Sequence, residues 1–311
     1  MEFMHIVPVH YLEQFSGRQH SHLLLAHLVE ENSAYREWYV NRKQSHPDDL
    51  FILDNSAFEF YKRGEPMYPS NRMEEIVGHD IGLNRSTGMW RMENDKLIEM
   101  GTHIKADYIV MSDYPGEPGQ KTIDAAEDLG PKFHEAGFKT FFVPQSEPGN
   151  LGEYIATFDW AADSDHVDYI GVSILGVPLA YGVEKDNKLQ RFNSRWDMMS
   201  ILEDMGSLER AKLNDKKIHF LGMVDGYKEI SLVRDYITAG IIDTWDNSSA
   251  VWYGLNGNEY DDSPTGLVNG KFELEVDFSF DSADENSVLC ARNNVFCIDD
   301  LVEFYSTEEQ Q

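Results

Sequence analysis

Apolar, strand-like runs that each lead into a polar residue or a glycine recur along most of this chain. The residues that follow five of these runs are Asp54, Asp113, Gln145, Gly171 and Asp246. A parallel β/α barrel collects the residues of its active site at the carboxyl ends of its strands. If the chain folds as such a barrel, three carboxylates, one amide and one glycine line a single pocket.

Strand signals alternate with helix signals, and this order is typical of a parallel α/β fold. We predict an α/β protein with a (β/α)8 TIM-type barrel over residues 1–256. The alternation stops after this point. Residues 257–311 are therefore interpreted as a small C-terminal β/α appendage that packs on the barrel.

Local patterns predict several individual elements. Apolar residues recur at helical spacing over residues 21–42 and predict one long helix there, and residues 297–305 read as a closing helix. Residues 5–9 are the predicted first strand, while residues 271–280 alternate like a half-buried antiparallel strand. Residues 176–195 are long for a connection between a strand and a helix, so we expect a functional loop at the active face.

The composition limits the partners and cofactors of the chain. The formal net charge of −29 argues against broad, nonspecific binding to nucleic acid, although a local basic groove remains compatible with it. Cys290 and Cys297 form no Cys-x-x-Cys pair with which to begin a zinc site, so we expect no metal and no other cofactor. Two cysteines also suit a reducing compartment.

No run reaches the roughly 18 apolar residues of a membrane span. The first residues lack the basic region and apolar stretch of a secretory signal. The sequence therefore predicts a cytoplasmic protein with no membrane partner.

Each residue at a strand end has an ordinary structural explanation when it is taken alone. An aspartate after a strand is more often the N-cap of a helix than a catalyst. Gln145 can cap a turn, Gly171 can ease packing, and Trp245 fits a core position better than a surface that stacks on a base. The hypothesis of a shared site depends on all five strand ends converging.

Six segments carry a further pattern, which spans residues 50–255. They are Asp54-Asn55-Ser56-Ala57-Phe58-Glu59, Ile109-Val110-Met111-Ser112-Asp113, Val143-Pro144-Gln145, Ile170-Gly171-Val172-Ser173, Phe220-Leu221-Gly222-Met223-Val224 and Trp245-Asp246-Asn247-Ser248-Ser249-Ala250. In this order they resemble the motifs of the tRNA-guanine transglycosylase superfamily. Each motif alone is degenerate, and the ordered set is more specific.

The chain departs from that family in three ways. The zinc element Cys-x-Cys-x-x-Cys…His is absent, Ser56 and Ala57 stand where the family has paired glycines, and the chain is short. In these respects it is similar to the small, zinc-free phage and bacterial enzymes that insert 7-deazaguanines into DNA. The resemblance implies DNA as the polymer, with tRNA as the alternative, and a base such as 7-cyano-7-deazaguanine. A phage-encoded protein would act in the cytoplasm of the host.

The resemblance also implies roles for individual residues. Asp246 would attack C1′ of the sugar and hold it covalently, with Asp243 as the alternative nucleophile, and Asp54 would move the proton of the leaving and incoming bases. Asp113 would accept hydrogen bonds from guanine. The remaining residues that we expect to bind the substrate are Gln145, Gly171, Phe58 and Ser248.

Four cations in residues 176–195 are candidates for contact with a phosphate backbone, and they are Lys185, Lys188, Arg191 and Arg195. The alternative is that all four are solvated charges on a surface loop. Two other functions stay open at this point. One is a glycosylase or ribosyltransferase that acts on tRNA or on free nucleosides or nucleotides, and the other is a non-catalytic, acidic binding protein built on a barrel.

Overall fold

Eight parallel strands form the centre of the molecule. The computed structural model describes residues 1–57, 94–184, 187–223, 226–267 and 276–307. Neighbours in the sheet follow the order β1-β8-β7-β6-β5-β4-β3-β2, and every pair is parallel. The strands are β1 (Glu2–His5), β2 (Ser21–Leu25), β3 (Leu50–Asp54), β4 (Tyr108–Val110), β5 (Lys139–Phe142), β6 (Tyr169–Ser173), β7 (Lys217–Leu221) and β8 (Thr244–Asn247).

The sheet curls until its two end strands meet. β1 and β2 lie side by side, and the hydroxyl of Ser21 donates a hydrogen bond to the carboxylate of Glu2. Helices fill the connections between successive strands. The structure is therefore a nearly closed (β/α)8 barrel, which confirms the predicted fold class.

The helices form the outer layer. They are α1 (Leu12–Phe15), α2 (Ala26–Glu31), α3 (Ser33–Ser45), α4 (Asn94–Ile104), α5 (Gly119–Glu135), α6 (Leu151–Asp163), α7 (Gly176–Ala180), α8 (Lys188–Asp204), α9 (Ser207–Leu213), α10 (Lys228–Leu232), α11 (Arg234–Thr238), α12 (Ser249–Leu255) and α13 (Glu285–Thr307). A strand between this layer and the barrel interior is buried on both faces, so its sequence is a continuous apolar run. Phe51, Ile52 and Leu53 of β3 are all fully buried.

Residues 21–42 do not form the single helix that their sequence predicts. The first five of them are β2, which pairs with β3 from Ser21 opposite Leu50 to Leu25 opposite Asp54. The chain then forms α2 and α3, and the side chain of Asn32 caps α3 by accepting a hydrogen bond from the backbone N–H of Tyr35. Leucine suits a helix when isolated, but here the pairing with β3 and burial on both faces decide the conformation.

Other boundaries also differ from the sequence prediction. The first strand is β1, which ends at His5, where the predicted strand begins. The predicted loop over residues 176–195 contains α7 and the first half of α8, and residues 185 and 186 lie outside the described residues.

The interior of the barrel is partly polar. The ring of Tyr108 on β4 lies 5.1 Å from the ring of Tyr169 on β6, between strands that are not neighbours, so both rings face inward. His219 of β7 contacts Tyr169 from the next strand. Trp245 of β8 points the other way, because its ring packs against Phe220 and lies under the guanidinium of Arg195 from α8.

The C-terminal helix α13 packs on the barrel. Its Ala291 approaches Gly254 of α12 so closely that a Cβ on Gly254 would lie 2.1 Å from the Ala291 Cα, and Asp299 accepts a hydrogen bond from His5 at 2.9 Å. The helix predicted over residues 297–305 is confirmed within this longer one. The predicted strand over residues 271–280 falls partly outside the described residues, which resume at 276. Residues 276–280 form no strand. Among the helices described, none is long and apolar enough to cross a membrane.

Candidate functional site

The carboxyl ends of the parallel strands place most of the sequence candidates at one rim of the barrel. Asp54 is the last residue of β3, and Asp246 lies one residue before the end of β8. Asp113 and Gln145 each follow their strands, β4 and β5, by three residues. This rim is where barrels of this type carry their chemistry.

Asp113 and Gln145 are in direct contact. The Nε2 group of Gln145 donates to Oδ2 of Asp113 at 2.8 Å, and the Nδ2 group of Asn55 donates to Oδ1 at 3.0 Å. All three side chains are buried. We call Asn55, Asp113 and Gln145 the amide clamp, because two carboxamides hold one carboxylate between them. Hydrogen bonds of this kind offset the cost of burying the charge of Asp113.

One acceptor in the amide clamp has no partner. The Oε1 atom of Gln145 is buried and accepts no hydrogen bond from the described residues. A Cβ added to Gly176 would lie 3.0 Å from this oxygen, so the start of α7 passes close to it. An unsatisfied buried acceptor costs free energy, and a polar ligand would remove that cost.

Asp54 begins a tight turn. Its Oδ2 atom accepts a hydrogen bond from the backbone N–H of Ser56 at 2.7 Å. Ser56 has a positive φ of 60°, a left-handed conformation that favours glycine. The hydroxyl of Ser56 compensates by contacting the Nδ1 atom of His27 at 2.9 Å. This turn keeps the half-buried carboxylate of Asp54 at the rim of the barrel.

Asp246 is held through one of its two oxygens. The Oδ1 atom accepts hydrogen bonds from the Nε2 atom of His219 at 2.9 Å and from the backbone N–H of Gly222 at 3.1 Å. No described residue makes a hydrogen bond to Oδ2. The side chain is 6% exposed, and the two donors fix its orientation. A carboxylate with one anchored oxygen and one unpaired oxygen suits nucleophilic attack.

Asp243, the alternative nucleophile, lies at the other end of the barrel. It precedes the first residue of β8, and its Oδ2 atom accepts a hydrogen bond from the backbone N–H of Ile218 at the start of β7 at 2.8 Å. Burial raises the pKa of this carboxyl above its usual value. Asp243 therefore stabilises the amino-terminal end of the β7–β8 pair, away from the rim that carries Asp246.

The other residues expected to bind the substrate have different environments. Gly171 lies inside β6, where a Cβ would come within 2.6 Å of the Phe141 ring and 2.7 Å of the Leu221 side chain, so packing alone requires glycine there. Ser248 precedes α12 and is half-buried, and its side chain makes no capping hydrogen bond. Phe58 lies outside the described residues.

Arg195 is not a phosphate contact, and the prediction for this residue is wrong. Its side chain is fully buried. Its guanidinium forms an ion pair with Glu229 at 2.7 Å and donates to the carbonyl oxygens of Leu221 and Gly222 at 3.0 and 2.8 Å. A buried fork of donors ties the ends of β7 and α10 together and is inaccessible to a polymer.

Contact with a phosphate backbone stays a prediction for the other three cations. Arg191 lies in the first half of α8 and is half-buried. Lys188 begins the same helix, but its side chain lies outside the described part of the chain, as does Lys185.

Two residues of the site were missed at the level of sequence. Asn55 follows Asp54 directly and completes the amide clamp, and a polar residue in such a turn gave no signal of its own. His219 sits in the middle of β7, within an apolar run, and contacts Asp246. A histidine at the centre of a strand buried on both faces was the one available sign.

Trp245 is a core residue, fully buried against Arg195.

The described residues contain no cluster of three or more His, Cys, Asp or Glu side chains that could hold a metal ion. Cys290 and Cys297 both lie on α13 as free thiols.

No protein-family model matches the chain, and no curated protein matches its sequence.

Proposed function

We propose that this protein is a pentosyltransferase that exchanges guanine in DNA for a 7-deazaguanine base through a covalent bond between Asp246 and the sugar. The observation that carries the proposal is the asymmetric environment of Asp246, whose Oδ1 atom is anchored by His219 and Gly222 while Oδ2 has no partner among the described residues. The second carboxylate, Asp54, lies at the same rim.

The two carboxylates divide the reaction between them. Oδ2 of Asp246 attacks C1′ as the bond from C1′ to the guanine nitrogen breaks, and Asp54, which begins the cycle as the carboxylic acid, gives its proton to the leaving base. Asp54 then takes a proton from the incoming 7-deazaguanine, whose nitrogen attacks C1′ and displaces Asp246. Two displacements retain the configuration at C1′ and return both carboxylates to their initial states.

The amide clamp provides a site for the base. The carboxylate of Asp113 can accept hydrogen bonds from N1–H and the 2-amino group of guanine, a pair of donors that adenine does not present. In the structure the amides of Asn55 and Gln145 donate to the two oxygens of this carboxylate. If Gln145 donates to O6 of guanine, its hydrogen bond to Asp113 must break. The N1–H and 2-amino donors of the base then donate to Asp113 in its place.

The choice of a DNA substrate rests on the resemblance to the small, zinc-free members of the transglycosylase superfamily. The left-handed φ of Ser56 supports the resemblance, because the family places a glycine at this point of its motif. The net charge of −29 favours free nucleosides as the alternative substrate class. The loss of Arg195 as a candidate contact also weakens the basic surface that a polymer requires.

The test is base exchange on defined substrates. Purified protein is incubated with isotope-labelled guanine or 7-cyano-7-deazaguanine and with guanine-containing DNA, tRNA or guanosine, and the nucleosides are analysed by mass spectrometry. Incorporation into DNA supports the proposal. Incorporation only into tRNA or only into guanosine would show that the substrate is tRNA or a free nucleoside and not DNA. Absence of exchange and of hydrolysis in every reaction favours the non-catalytic binding protein. A salt titration of DNA binding distinguishes a polymer substrate from a free nucleoside. Each phosphate contact contributes about 0.7 to 0.9 to the slope of the logarithm of the binding constant against the logarithm of the salt concentration.

Asp113→Asn is expected to raise the KM for the incoming guanine-type base by about 10-fold to 100-fold, which is the effect of losing hydrogen bonds to a charged acceptor. The amide nitrogen of the asparagine is also a donor, and it would face the N1–H and 2-amino donors of the base with no acceptor between them. The measurement is KM and kcat for base exchange, with Asp124→Asn on the exposed face of α5 as the matched control. An unchanged KM would place the recognition of the base outside the amide clamp.

A further inference from the structure

A chain of hydrogen bonds runs from the candidate nucleophile into the barrel. His219 contacts Oδ1 of Asp246 through Nε2 at 2.9 Å and Oγ1 of Thr244 through Nδ1 at 2.6 Å. Oγ1 of Thr244 in turn lies 2.7 Å from the hydroxyl of Tyr169. His219 and Tyr169 are fully buried, and Thr244 is 4% exposed. We call these four residues the His219 chain.

The hydrogen bonds of the His219 chain can all be satisfied with the donors pointing in one direction. An ionised Asp246 only accepts, so Nε2 of His219 carries the proton between them. Nδ1 is then an acceptor and receives the hydroxyl proton of Thr244. The remaining contact requires Tyr169 to donate to Oγ1 of Thr244. Burial raises the pKa of the Tyr169 phenol well above its usual value, so this hydroxyl keeps the proton that it must donate.

The opposite direction leaves a donor without an acceptor. An imidazolium at His219 would donate from Nδ1 to Oγ1 of Thr244. The hydroxyls of Thr244 and Tyr169 would then hold two protons for the single contact between them, so one of the two would have no acceptor among the described residues. A buried donor without a partner costs free energy, so this arrangement of contacts favours a neutral histidine.

We propose that His219 is a positioning residue for Asp246, held by Thr244 and Tyr169 as the neutral tautomer with its proton on Nε2. This inference rests on the proposed function. A single neutral donor fixes Oδ1 and so directs Oδ2 toward C1′, while Asp246 keeps its full negative charge. An imidazolium in the same place would compete for the carboxylate as an ion-pair partner and would lower its nucleophilicity.

Two variants separate the Nε2 contact from the rest of the ring. The amide of His219→Gln reaches the position of Nε2 and can still donate to Asp246, whereas the shorter side chain of His219→Asn reaches only the position of Nδ1. We expect His219→Asn to lower kcat by about 10-fold to 100-fold with little change in KM, the effect of losing one hydrogen bond to a charged group. His219→Gln should recover most of that loss. Equal losses of kcat in both variants, or none in His219→Asn, would overturn the proposal.

The tautomer is measured independently of activity. Nitrogen NMR of the wild-type protein labelled with ¹⁵N-histidine is expected to show one imidazole, absent from His219→Gln, with its proton on Nε2 at neutral pH. Thr244→Val removes the hydroxyl that donates to Nδ1, so the ¹⁵N shift of the unprotonated Nδ1 is expected to change while Nε2 keeps its proton. A protonated Nδ1 in the wild type would overturn the inference even if base exchange is found, and a correct tautomer without any exchange would overturn only the proposed function.

Discussion

Asp246→Asn is expected to lower base exchange by at least about 10⁴-fold, the scale of removing the nucleophile from an enzyme with a covalent intermediate. A carboxamide is a poor nucleophile at C1′. The two donors that hold Oδ1 can also hold the carbonyl oxygen of asparagine, so the fold should be retained. The loss therefore belongs to chemistry and not to unfolding.

The measurement combines turnover with trapping of the intermediate. Denaturing electrophoresis of wild-type protein with DNA should show a covalent adduct, and Asp246→Asn should not form it. Asp243→Asn is the matched control, because this residue lies at the opposite end of β8 and contacts the backbone of Ile218. If Asp243→Asn abolishes the adduct and Asp246→Asn keeps wild-type turnover, the assignment of the nucleophile is wrong.

Arg195→Ala is expected to lower the free energy of unfolding by about 3–5 kcal/mol, the usual cost of removing one partner of a buried ion pair. The change breaks the buried ion pair between Arg195 and Glu229 and removes donors from the carbonyl oxygens of Leu221 and Gly222. It also removes the cation that lies over the rings of Phe220 and Trp245.

Urea unfolding measures this effect. Arg195→Met combined with Glu229→Leu should recover much of the loss, since an apolar pair of similar size carries no buried charge. Arg234→Ala is the control. Within the described part of the chain, Arg234 forms an ion pair with exposed Asp235 and no other, and such surface changes stay within about 0.5 kcal/mol. Unchanged stability in Arg195→Ala, together with weaker and less salt-dependent DNA binding, would restore Arg195 as a phosphate contact.

Arg195 and Gly222 also link stability to the candidate site. The guanidinium of Arg195 and the indole N–H of Trp245 both donate to the carbonyl oxygen of Gly222, whose N–H donates to Asp246. The outer layer of the barrel thus fixes the backbone that orients the candidate nucleophile. This support comes from a residue that the sequence had suggested for a different purpose.

The sequence alone determined the fold class and the positions of most strand ends. A continuous apolar run such as Phe51 to Leu53 predicts a strand buried on both faces, and the polar residue after it predicts the rim. Asp54, Asp113, Gln145 and Asp246 were found in this way because the signal is local. Parallel pairing then places all such ends together whatever the details of packing.

Tertiary structure decided what local patterns cannot encode. Ser21–Leu25 has the composition of a helix and is a strand because β3 pairs with it. Arg195 looks like a surface cation and is buried because Glu229, 34 residues away, supplies its counter-charge. His219 contacts Asp246 across 27 residues of sequence, and the amide clamp joins Asn55 to Asp113 across 58. These contacts depend on how the closed barrel brings distant residues together, and no periodicity in the chain records that.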